Sequence, residues 1–144
     1  MVIIFGFAAS YFDLKERRVP NKLILMMLGT WAFAMSVRLL IDFESAIQVM
    51  SDGAIGATVS GGLFMVVYLL SRKGLGGGDV KFMAAAGLFL GFGASIMTIL
   101  IGSVFAAVTG IILILLKRIG RKDPITLVPF LQAGIIAAYI LSNR

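Results

Sequence analysis

The sequence predicts an all-α, polytopic membrane protein of about six transmembrane helices. Three observations predict it. The chain is 60% hydrophobic and 14% charged over 144 residues. Its apolar runs approach the ~20 residues that an α-helix needs to cross a bilayer. Its basic residues cluster in alternate connections between those runs. A soluble fold would leave too much apolar surface in water. A membrane β-barrel would instead show alternating segments of roughly ten residues, and the sequence has none. The length corresponds to one membrane-embedded domain, residues 1–144.

The first apolar segment, Met1 to Phe12, is short for a full span. It also lacks the basic residues that precede the apolar stretch of a cleavable signal peptide. The second runs from about Lys22 to Ile41 and the third from about Gly53 to Ser71. The fourth begins near Val80 and fades at Gly91-Phe92-Gly93. The fifth covers about Ala94 to Leu116 and the sixth about Ile125 to Leu141. Asp123-Pro124 reads as a helix start, with Asp as N-cap and Pro at the first position. Pro129 falls inside the sixth segment, where a missing N–H should bend or break the helix. Small residues recur every four positions at Gly53, Ala57 and Gly61, at Gly87 and Gly91, and at Gly102, Ala106 and Gly110. Such rows let helix backbones approach closely in lipid, and they read as packing seams rather than a substrate path.

The charges orient the segments. Lys15, Arg17, Arg18 and Lys22 sit in the first connection, Arg72, Lys73 and Lys81 in the third, and Lys117, Arg118, Arg121 and Lys122 in the fifth. These are 11 of the 13 basic residues. The positive-inside rule places those connections in the cytoplasm and both termini outside, in a cell membrane. The net charge of +6 then reflects cytoplasmic loops and not a nucleic-acid partner. Asp13 and Asp79 fall on the same, cytoplasmic, side, whereas Asp42, Glu44 and Asp52 fall on the outer side and are poor partners for Asp79.

The chain has no cysteine and no histidine. Disulfides, thiolate zinc sites, His-based metal sites and Ser-His-Asp or Cys-His catalysis are therefore excluded. Neither a metal nor a cofactor is expected. Acid–base chemistry must use Asp, Glu, Lys or Tyr. Gly76-Gly77-Gly78-Asp79 sets a carboxylate behind a glycine run at the start of an apolar segment, and Asp13 ends another. Ionisable groups at a membrane are costly and default to functional candidates. A plain N-cap is the simpler reading of Asp79. The glycines favour a closer approach of backbone, as an extended substrate strand beside a catalytic acid would need. A phosphate loop fits poorly, because Val80 and Phe82 flank Lys81 where that pattern needs Gly and Ser or Thr. For Asp13 the simpler reading is a solvated loop charge, and for Lys81 an interface anchor. Glu16 and Asp123 read as solvated partners of nearby Lys and Arg.

Two motifs together resemble the type IV prepilin peptidases, intramembrane aspartic proteases with archaeal preflagellin peptidases as relatives. Asp13 followed by Arg17-Arg18-Val19-Pro20-Asn21 is similar to the family's first motif. Gly76-Gly77-Gly78-Asp79-Val80-Lys81 is similar to its GxGD motif and the lysine after it. Ala84 to Gly91 resembles the fourth span. Pro129-Phe130-Leu131 with Gly134 resembles the last-span motif in part, since Thr126 stands where an earlier proline is common. The resemblance implies that Asp13 and Asp79 form the catalytic pair, with Gly76, Gly77, Gly78, Lys81 and Pro129 as supporting residues. It implies prepilin-like or preflagellin-like substrates whose basic leaders are cut at the cytoplasmic face, before an apolar helix in the bilayer. Larger members carry Cys-x-x-Cys pairs upstream and also N-methylate the new terminus. These 144 residues contain no cysteine, so the resemblance does not carry methyl transfer to this chain. Two other readings use the same residues: a small transporter or channel with border carboxylates, and a non-catalytic subunit of secretion machinery.

Overall fold

A computed structural model describes residues 1–16, 19–70, 76–116 and 127–142. The described residues form five helices: α1 Val2–Glu16, α2 Asn21–Ile41, α3 Phe43–Leu70, α4 Gly77–Leu115 and α5 Val128–Ser142. α2, α3 and α4 are long and apolar enough to cross a membrane, while α1 and α5 have 15 residues each. Large apolar side chains such as Leu40, Leu70, Leu100 and Leu115 point outward. That outward face suits lipid. The core holds Ala9, Met27, Phe82, Met83, Leu131 and Ile135.

The most extensive contact joins α3 to α4, followed by α4 with α5 and then α1 with α5. The α3–α4 seam is made of small residues. A Cβ at Gly56 would lie 2.6 Å from the carbonyl oxygen of Gly87, so only glycine permits this spacing. The Ser60 hydroxyl sits 2.9 Å from the Met83 carbonyl oxygen and adds a polar contact across the seam. Gly102 and Gly134 do the same for α4 against α5. The small-residue rows therefore pack helices, as expected of close crossings in lipid.

The fourth and fifth expected segments run together in α4. Its 39 residues would extend roughly 58 Å if straight, against a hydrocarbon core of about 30 Å. The helix is broken at Gly91, which has φ 72 and ψ −177. That backbone region is essentially reserved for glycine. Two backbone groups at the break are met by side chains of neighbouring helices. Phe92 N–H donates to Asp52 Oδ1 at 3.1 Å, and Trp31 Nε1–H donates to the Leu88 carbonyl at 2.9 Å. Broken backbone at membrane depth persists only where protein groups satisfy it in this way.

Three expectations need correction. α3 begins at Phe43, ten residues before the expected Gly53, because Asp42 starts it: Ser45 N–H donates to Asp42 Oδ1 at 3.1 Å. Pro129 does not break a helix. It lies in the first turn of α5, where the N–H of each residue lacks an intrahelical acceptor and proline costs no bond. Leu127 is not helical, so this helix begins after the expected Ile125. The expected cap at Asp123-Pro124 lies outside the described residues, as do Arg17, Arg18, Arg72, Lys73, Lys117, Arg118, Arg121 and Lys122.

Candidate active site

Asp13 is placed by the face of α1 that meets α5. Gly6, Ala9, Ser10 and Asp13 recur every three or four residues along that face, and all are buried. Asp13 is only 5% exposed. Its Oδ2 accepts a hydrogen bond from Val128 N–H at 3.3 Å. Val128 opens α5, and its N–H has no acceptor within that helix. A carboxylate at a helix start is also favoured by the helix dipole. Asp13 is thus not a solvated loop charge. Pro129 is the residue after this contact, which ties it to the Asp13 side of the site.

Asp79 is placed by the start of α4. Gly76 is the N-cap, with φ −78 and ψ 139. Asp79 sits in the first helical turn, and its Oδ2 accepts from Gly76 N–H at 3.3 Å. Asp79 N–H donates back to the Gly76 carbonyl at 3.0 Å. Asp79 is 7% exposed. Gly77 and Gly78 are the first two residues of α4. The glycine at 78 permits a close contact within the chain. A Cβ there would lie 3.1 Å from Val19 N and 3.2 Å from Val19 Cβ. Its absence lets the start of α4 press against the chain between α1 and α2.

Lys81 is exposed and reaches across that same junction. Its Nζ donates to Asn21 Oδ1 at 3.1 Å. The two motifs, sixty residues apart in sequence, therefore meet at one end of the bundle. Between them lies a cavity of about 510 Å³ lined by Glu16, Val19, Asn21, the Gly76–Gly78 run, Asp79 and Lys81. Asp13 and Pro129 are not among its lining residues. Asp13 and Asp79 lie at the same end of the bundle, Asp13 beneath the start of α5 and Asp79 on the cavity wall. Among the described residues each of the two carboxyls accepts one backbone N–H through Oδ2, and a carboxylate has about four acceptor sites. Among the described residues no group of three or more His, Cys, Asp or Glu could hold a metal.

Sequence reasoning did not find Asn21 as the partner of Lys81, nor Glu16 as a wall of the cavity. The Val19-Pro20-Asn21 run carried a signal for the first, since proline stiffens the approach to α2. Nothing local signalled the second. Glu16 was expected among solvated loop charges, and it is the last residue of α1.

Residues 1–111 match the model of the type IV leader peptidase family. The chain is 29% identical over 136 residues to a prepilin leader peptidase/N-methyltransferase of Bacillus subtilis, covering 91% of this chain and 50% of that protein. It is 35% identical over 132 residues to a protein of the same name from Aeromonas hydrophila, covering 90% of this chain and 44% of that one. A relative of that name in Aeromonas salmonicida is 32% identical over 136 residues, covering 90% of this chain and 44% of its own. The chain thus spans about half the length of the curated relatives it matches. No solved structure matches it.

Proposed function

Because the chain belongs to the type IV leader peptidase family, we propose that it is a membrane-embedded aspartic endopeptidase that removes the leader of prepilin-like proteins. Asp13 and Asp79 are the catalytic pair. The observation that carries this reading is their placement. Two acids from different helices are buried at one end of the bundle, and Asp79 lies on the wall of a cavity there. Helix capping alone needs neither burial nor a second acid nearby. Two carboxylates held together cannot easily both ionise, so the pair shares a proton.

Hydrolysis then proceeds without a covalent intermediate. The ionised partner takes a proton from water, which attacks the scissile carbonyl. The protonated partner gives its proton to the carbonyl oxygen; the proton taken from water then passes to the amine nitrogen as the C–N bond breaks, and the new carboxyl's O–H returns a proton to the pair. The pair titrates as a unit, so neither aspartate owns one role. The bond to Val128 and the bond to Gly76 keep both carboxyls oriented while protons move.

In the bilayer, α4 counts as two crossings joined at Gly91, which makes six segments with α1 and α5. The basic connections face the cytoplasm, and with them the site. The leader's polar part then meets its apolar helix at the level of Asp79. A small residue such as glycine before the scissile bond would ease the unwinding that exposes the amide to water. The whole chain acts as a single peptidase domain, and prepilin-like or preflagellin-like proteins are its partners.

Purified protein incubated with a prepilin-like substrate, read by mass, tests this reading. One cut at the junction of leader and apolar helix is expected. Replacing the glycine before that bond by a large residue should block it, and a mid-helix change beyond it should matter little. Equal cutting of both variants, or a cut within the apolar helix, contradicts the reading.

A further inference from the structure

The two proposed catalytic acids ride on helices that barely meet. α1 packs chiefly against α5 and α4 against α3, and the contact between α1 and α4 is slight. At the end that holds Asp13 and Asp79, the chain leaving α1 touches the start of α4 in two ways. Val19 presses on Gly78, where a Cβ would come within 3.2 Å of its own. Lys81 Nζ donates to Asn21 Oδ1 at 3.1 Å. The Val19–Pro20 step is a stiff platform for this contact. Pro20 has φ −67 and ψ 137, and a residue before proline is itself held extended. Lys81 lies two positions after Asp79, and Asn21 is the first residue of α2.

From this placement we propose that Asn21 and Lys81, both on the cavity wall, form a clasp that holds the Asp79 turn against the start of α2 and so positions it relative to Asp13. The proposal rests on the reading of Asp13 and Asp79 as the working pair. Lys81 touches no reacting atom in this role and acts through Asn21. Both residues are exposed, and an exposed bond of this kind adds little to global stability. Its effect belongs to local geometry, so it should show in turnover and in local opening and not in the melting temperature.

The full chain, purified in detergent, is compared as wild type, Lys81→Met, Asn21→Leu and the double variant. Cleavage kinetics and amide hydrogen exchange are read on each. Either single change should lower kcat about tenfold, the scale of one hydrogen bond to a charged group, with KM little altered. The double variant should be no worse than either single, because both remove one interaction. Asn21→Asp should recover most of what Asn21→Leu loses, since a carboxylate accepts the same bond. Amides of residues 19–25 and 76–82 should exchange faster in each single variant, while those along the α3–α4 seam stay protected. Losses that multiply in the double variant, or exchange that does not change, overturn the clasp. A wild type that cuts no prepilin-like substrate would remove the peptidase reading instead, and the exchange data would still decide the clasp.

Discussion

At residue scale the candidate site turns on what a carboxylate does beyond capping. Asp13 satisfies a donor that α5 cannot satisfy for itself, and Asp79 does so for Gly76 at the start of α4. The type of both residues was legible because acids at a membrane edge are rare. Their contacts were not, since Asp13 meets a backbone group 115 residues away. Gly78 shows the same limit. Its run of glycines marked a close approach of backbone, and Val19 of the same chain is the neighbour found at Gly78. Gly78→Ala should push Val19 aside, with a stability cost of about 1 kcal/mol from overpacking and a larger loss of cleavage. Gly78→Val should lose more. Gly62→Ala, at a helical position with nothing within 4 Å, should be neutral or stabilising by up to about 1 kcal/mol. Thermal unfolding alongside the cleavage assay checks the ranking. Equal activity in Gly78→Val and wild type would contradict the close-contact account.

At the scale of elements, α4 carries the sharpest expectation. The Gly91-Phe92-Gly93 break was legible from glycine spacing in an apolar run. Its bracing was not, because Trp31 and Asp52 come from α2 and α3 and no local pattern links them to residue 91. Asp52 was expected to stand apart on the outer side. It accepts the Phe92 N–H and so acts as a cap for the second half of α4. Gly91→Ala should destabilise by about 1–3 kcal/mol, since alanine is strained at this φ and its Cβ would overlap the Asp52 carboxylate. Trp31→Phe should leave the Leu88 carbonyl without its donor and cost about 1–3 kcal/mol. Thermal melts in detergent measure both. A Gly91→Ala variant as stable as wild type would mean that the break closes into regular helix. Pro129 was misread for a related reason. Hydropathy places an apolar segment but does not say where its first turn begins.

At the scale of the whole molecule, the order of segments and the meeting of the two motifs were readable from charge and spacing. The starts of α3 and α5 were not, because they depend on caps at Asp42 and Asp13. The proposed orientation has a direct test in a chain without cysteine. An impermeant thiol reagent applied to intact cells should label Glu44→Cys and leave Arg121→Cys unlabelled. The opposite pattern would invert the topology and put the site on the outer face.

In the proposed mechanism Asp13 and Asp79 work as one proton-sharing pair. Asn is the deciding substitution. It is isosteric with Asp, ranks with it as a helix cap, and can still accept the Val128 or Gly76 N–H. It cannot ionise or share the proton. Asp13→Asn and Asp79→Asn, purified as folded protein and assayed on a prepilin-like substrate with Asp42→Asn as control, should each lose nearly all cleavage. Their melting temperatures should stay close to wild type, and the control should cut almost normally. Near-normal cleavage by either of the two site variants would reduce that aspartate to a helix cap and contradict the pair.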